Sequence, residues 1–287
     1  MPTTINTNLN SLNAQRNLNS SQSALSMSMQ RLSSGLRVNS AKDDAAGLAI
    51  AERMTTQVRG MNAAIRNAND GISMSQTAEG AMGKVSDSLQ RMRELSVQAA
   101  NATNSASDKD SLDKEFGELS KEIQRVLGNT SFNGQHVLGT DAKTFQFQVG
   151  ANTTSNDTVN IVTTDLTSDA TVTSVAGTDN TGAGRSVIDS TANATTIQGV
   201  IDKIDVALTT INDQRAVMGA SQSRFDSVVT NLQSSVENQT AAKSRIMDTD
   251  FAAETASLSR ANILQQAGNA MVAQANQLPQ QVLTLLR

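Results

Sequence analysis

Between residues 197 and 246 an apolar side chain returns on one seven-residue lattice: Ile197, Ile204, Ile211, Met218, Phe225, Leu232 and Ile246, with Gln239 the one polar occupant. A companion lattice holds Ile201, Leu208, Val229 and Val236, interrupted by Arg215, Gln222 and Lys243. Seven residues are two helical turns, so such positions form a narrow stripe that only another helix can cover. Fifty residues of unbroken helix measure about 75 Å. A compact domain of 287 residues has a radius of gyration of only about 19 Å. The pattern therefore predicts a mainly α fold, an elongated rod of long antiparallel helices.

The remaining apolar periodicity agrees. Leu18, Leu25 and Leu32 repeat every seven, interleaved with Met29 and Leu36, and Ile5, Leu9 and Leu12 begin the stripe earlier. Val58, Met61, Ile65, Ala68 and Ile72 carry a second stripe, continued by Met82, Val85, Leu89 and Met92. Leu112, Phe116, Leu119, Ile123 and Val126 carry a third. Both prolines, at 2 and 279, lie outside these runs. Helices are expected at 3–36, 43–100 and 108–127.

After a break at Asp248-Thr249-Asp250, Leu264, Met271, Leu278 and Leu285 repeat every seven, with Gly268, Ala275 and Val282 between them and Leu286 beyond. A seam of this kind needs a partner, and the other terminal amphipathic helix is 3–36. Pairing them would join the two chain ends in a coiled coil. The many Asn, Gln and Ser of both helices make that pair marginal alone, so the ends are expected to order on packing against copies of the chain.

Residues 128–196 change character, rich in Thr, Asn, Ser, Asp and Gly. Phe145–Val149, Thr158–Val162 and Thr171–Val175 alternate apolar and polar residues, as half-buried strands do. A small central β-hairpin region fits, because apolar residues are too sparse for an independent domain.

Composition limits the function. Aromatics are 2%, so a core must be built from Ala, Leu, Ile, Val and the 11 Met. A net charge of -4 favours neither nucleic acid nor an anionic membrane as partner. Zero Cys excludes disulfides and thiolate chemistry. No run approaches a membrane span, and residues 1–6 lack the basic flank and apolar core of a cleavable signal. If the protein is exported, a route without signal cleavage is expected.

No enzymatic set emerges. The single histidine, His136, is followed by Val137-Leu138-Gly139, which rules out H-E-x-x-H, and neither a G-x-S-x-G elbow nor a P-loop occurs. Asp43, Asp44, Asp248 and Asp250 read as helix-start caps; Ser40 with Asp43 has capping-box spacing, though a plain N-cap is the preferred reading. No catalytic, cofactor-binding or metal-binding residues are expected.

Several longer stretches carry a resemblance. Ser33–Arg37 followed by Asn39–Gly47, Arg66–Ile72, Leu89–Gln98, Phe132–Gly134, Gln148–Asn152, Ile263–Ala267 and Pro279–Arg287 together resemble the bacterial flagellins, over about 1–165 and 197–287. The resemblance implies a structural subunit that self-assembles into a helical swimming filament outside the cell, after export unfolded through the flagellar secretion apparatus. It implies an inner terminal coiled-coil domain from 1–42 and 246–287. A middle helical domain with a β-hairpin would span 43–165 and 197–245. Residues 166–196 would be a short variable surface segment in place of large outer domains, and the Ser/Thr-rich stretch 153–196 either a solvated surface or a site of O-glycans. Implied partners are identical copies, an export chaperone, a filament cap and hook–filament junction proteins, and, in a host, a Toll-like receptor and a cytosolic sensor. Gln90, Arg91, Glu94, Leu95 and Glu115 match the receptor-contacting positions; they are also expected to belong to a packing surface. A junction protein of the same superfamily is the alternative function.

Overall fold

The computed structural model describes residues 7–285, with side chains through residue 277. Its elements run α1 (Leu9–Ser34), α2 (Ala45–Ala99), α3 (Ala106–Asn129), β1 (Ser131–Phe132), β2 (Gln135–His136), β3 (Thr144–Gln148), β4 (Thr158–Val162), α4 (Ala170–Ala176), α5 (Ala194–Met247) and α6 (Phe251–Leu285). The fold is mainly α, as expected, with two antiparallel hairpins, β1–β2 and β3–β4. The described residues form two compact units, one within 1–57 and 237–287, the other Val58–Val236.

In Val58–Val236 the seven-residue lattice of α5 is the spine of the core. Ile197, Ile204, Ile211, Met218 and Phe225 are all buried, as are Met82, Val85, Leu89 and Met92 of α2. Methionines fill the space that aromatics occupy elsewhere: Met74, Met82 and Met92 are among the largest fully buried side chains, beside only Phe116 and Phe225 among aromatics. Phe225 meets Phe147 of β3 edge to face, with ring centroids 5.6 Å apart. On its other side it presses on α2 at Gly71, where an added Cβ would lie 2.8 Å from the ring. The two strands pair in register from Thr144↔Val162 to Gln148↔Thr158, which matches both strand expectations.

The third expected strand is a helix. Asp169 accepts a hydrogen bond from the Thr171 N–H, and the helix ends at Gly177, φ 81°. Val172, Val175 and Ala176 are buried at helical spacing. The alternation of Thr171–Val175 yields to the cap and to the i, i+3, i+4 burial they permit.

Residues 166–196 are also more than a surface segment, because Leu166, Val172, Val175 and Ile188 belong to the core. Helix α3 holds them through polar side chains: Ser120 Oγ donates to the Ala176 carbonyl and Gln124 Nε2 to that of Gly177. Sparse apolar residues suffice when each is fully buried and the backbone between them is hydrogen-bonded.

Helix starts follow the acidic pattern with two exceptions, one of them Asp248, which accepts from Ser244 Oγ at the end of α5 instead of capping a helix start. Asp250 accepts from Ala252 and Ala253, as expected. Asp43 instead closes a turn with Asn39 and Ser40, and the carboxylate that caps α2 is that of Asp44, bonded to Gly47 N–H at 2.8 Å. A reciprocal capping box lies at Ser105 and Asp108, opening α3.

Candidate functional site

The terminal helices pair antiparallel. Asn8 Nδ2 donates to the Ala275 carbonyl, Ser11 Oγ to Asn276 Oδ1, and Arg31 lies 3.7 Å from Glu254. Gly35, in left-handed conformation at φ 72°, ends α1 and accepts from Thr249 N–H. Leu36 bridges Asp248.

The seam facing α6 on α1 runs through Ser11, Ala14, Leu18, Ser21, Leu25, Ser28 and Leu32, with Ser11 and Ser28 the buried members and the leucines partly covered. Opposite lie Leu258, Ala261, Gly268, Val272 and Ala275. The spacing is that of a coiled coil, but more than half of its knobs are serine, alanine or glycine. Leu18 reaches to 3.1 Å from where a Cβ on Gly268 would stand, so the small residues set a close approach.

Two leucine-type positions expected in this seam are not in it. Leu264 is 50% and Met271 61% exposed. Met29, at 58%, likewise points away from α6. Two stripes run along α6 four or three residues apart, and the smaller residues take the close helix–helix contact. The larger ones are left outside. Leu264, Ala267 and Met271 form the apolar wall of a shallow groove whose other wall is Asn10, Asn13 and Asn17. The side chains of Leu278, Val282, Leu285 and Leu286 lie outside the described residues.

The second cluster surrounds Arg91. Its Nε donates to Glu115 Oε1 and its Nη1 to Glu94 Oε2, both at 2.9 Å. These hydrogen bonds, that to Glu115 foremost, raise the pKa of the guanidinium. Gln90, one residue before, is exposed. Leu95 does not join this surface; it is fully buried in the core, because it falls on the inward stripe with Leu89, Met92 and Ala99. Its place beside Arg91 among the expected contact positions comes from the resemblance to flagellins, which does not weigh how wide the buried stripe of this helix is.

A third cluster was not anticipated. Arg185 holds Asp113 with both Nη atoms, and Asp113 also accepts from Ile188 N–H. Both side chains are largely buried, and the guanidinium stands over the Phe116 ring, 5.9 Å from its centroid. Burial pushes the Asp113 carboxyl up, but Arg185 and the Ile188 N–H outweigh it and hold its pKa below the ordinary value.

Among the described residues no group of three or more His, Cys, Asp or Glu could hold a metal ion, and no helix is long and apolar enough to cross a membrane.

Long helices, a weak terminal seam and an uncovered apolar stripe beside it are the features of a helical structural subunit that completes its packing with other copies. Residues 5–143 match the bacterial flagellin N-terminal helical region, and residues 201–286 the flagellin C-terminal helical region. A flagellin of Halalkalibacterium halodurans is 45% identical over 99% of both chains, and one of Bacillus subtilis 42% identical over 99% of both. The crystal structure of Bacillus cereus flagellin aligns over 62% of this chain and 94% of that one, at 36% identity and a TM-score of 0.48. The chain belongs to the bacterial flagellin family, in a short, core-only form. It is a structural component of the flagellar filament outside the cell, and not an enzyme.

Proposed function

We propose that this chain leaves the cell unfolded, without signal cleavage, and folds on joining the growing end of a swimming filament, where its terminal helices gain their missing cover. The outward stripe of Leu264 and Met271 carries this reading. The intramolecular seam leaves that stripe to water, and covering each side chain would contribute about 1 kcal/mol. Filament assembly supplies the cover, so residues 1–42 and 246–287 form the inner domain of the assembled subunit. An export chaperone would shield the same stripe before secretion, and cap and junction proteins would meet it at the filament ends.

Purified monomer seeded with short filament fragments under precipitant tests the reading by electron microscopy. Long regular tubes are expected, and none from a chain lacking residues 278–287. Persistent monomers from the full chain, with their helices intact, would favour the junction-protein alternative.

The cluster of Gln90, Arg91, Glu94 and Glu115 supports a second role, recognition of the monomer by a host Toll-like receptor, with a cytosolic sensor reading the terminal helix. Arg91 offers a planar donor fork, already aligned by two carboxylates, on an exposed helix face. Leu95 supports that face from beneath.

A further inference from the structure

Several glycines interrupt the long helices of Val58–Val236, and three of them, Gly60, Gly71 and Gly117, are explained within the chain. Gly60 lets Ala151 approach and Gly71 lets Phe225 approach; an added Cβ would stand 2.8 Å from either neighbour. Gly80 and Gly83 of α2 are not so explained, a property they share with Gly128, Gly199 and Gly219, but these two fall together in one depression. A Cβ on either would meet nothing within 4 Å. Glycine is among the poorest formers of a helix interior, so the two weaken α2 with no return in intramolecular packing.

They line one open depression, together with Glu79, Lys84, Asp87 and Arg215. Its charges are unevenly satisfied. Glu79 accepts from Gln222 Nε2 at 2.8 Å, and Asp87 lies 3.7 Å from Lys84. Arg215 is left over: its Nε is buried and meets no acceptor among the described residues. A shielded guanidinium N–H without an acceptor is costly, and a carboxylate matches it best. Arg215 is also one of the polar residues that interrupt the apolar lattice of α5. Gln222, the next interruption, is accounted for by Glu79; Arg215 is not.

We propose that this depression is an assembly contact, in which a carboxylate-bearing segment of a second copy lies close over Gly80 and Gly83 and is anchored by Arg215. The bare backbone permits close approach, and the unpartnered Nε–H of the Arg215 guanidinium sets the chemistry of the incoming side chain. The occupant is another copy because the chain is a filament subunit; the proposal rests on that reading.

The test compares wild-type chain with the double variant Gly80→Ala/Gly83→Ala, with Gly83→Gln and with Arg215→Ala. Monomer melting and the critical concentration for seeded elongation are measured for each. The added side chains enter open space in the monomer and improve helix propensity, so melting should rise by a few degrees. Critical concentration should nevertheless rise about tenfold or more. Arg215→Ala should leave melting near wild type, since it deletes an unpaired donor, and should raise the critical concentration at low salt more than at high salt. Wild-type elongation with unchanged critical concentrations in all variants overturns the proposal and leaves the filament reading intact. A lower melting temperature in both glycine variants also overturns it, by assigning the glycines an intramolecular task. Failure of the wild type itself to elongate overturns the filament reading and this proposal together.

Discussion

Arg185 and Asp113, 72 residues apart in sequence, meet through a two-pronged ion pair that fastens the segment after α4 to α3. Removing either partner strands a mostly buried charge. Arg185→Ala should destabilise Val58–Val236 by about 3 kcal/mol, read as an earlier denaturant midpoint. Replacing both residues by apolar ones of similar size should recover much of the loss; no recovery would mean the ion pair itself is not the source.

Acid should loosen the same fastening. The folded pKa of Asp113 is lowered, so the folded state binds this proton less readily than the unfolded one. The contribution is fully present above the unfolded carboxylate value of about 4 and is lost as pH falls through the lower folded value. Denaturant midpoints across that window should therefore fall more steeply for wild type than for Asp113→Asn. Parallel curves would assign the acid sensitivity to other carboxylates.

Leu95 and Arg91 should separate stability from recognition. Leu95→Ala opens a cavity in a fully buried site and should cost about 2–5 kcal/mol. Arg91→Ala removes exposed ion pairs and should leave the denaturant midpoint near that of wild type. A receptor-signalling assay on folded monomers should show a strong fall for Arg91→Ala, and an equal response would remove the recognition role.

Leu264→Gln with Met271→Gln tests the outward stripe. Both side chains are at least half exposed, so monomer melting should move little. The critical concentration for elongation should rise about tenfold or more, and normal tubes at wild-type concentration would show that other surfaces drive assembly.

What could be read from sequence was what repeats. The α5 lattice from Ile197 to Phe225 is legible because every second turn carries the same kind of residue, and the core follows it. A short segment offers no such repetition. Thr171–Val175 fits a strand by alternation and a helix by Val172 and Val175, and Asp169 and Gly177 decide the matter only when read as its two caps. The α6 seam failed differently: spacing identifies two stripes, but only the partner's shape determines that Gly268 and Ala275 face α1 while Leu264 and Met271 do not. Arg185 and Asp113 share no local pattern, since their pairing depends on the tertiary path of the intervening chain.

The bond from Asn8 to Ala275 spans 267 residues of chain. At about 5–20 residues per second, a newly made α1 waits roughly ten seconds to a minute before its partner leaves the ribosome. Throughout that interval its half-serine seam offers little for stray helices to hold, and the entropy of closing so long a loop opposes early pairing. This long-range bond is thereby also among the last to form. The two ends stay apart while the chain is being made, which is what the proposed export in unfolded form would require.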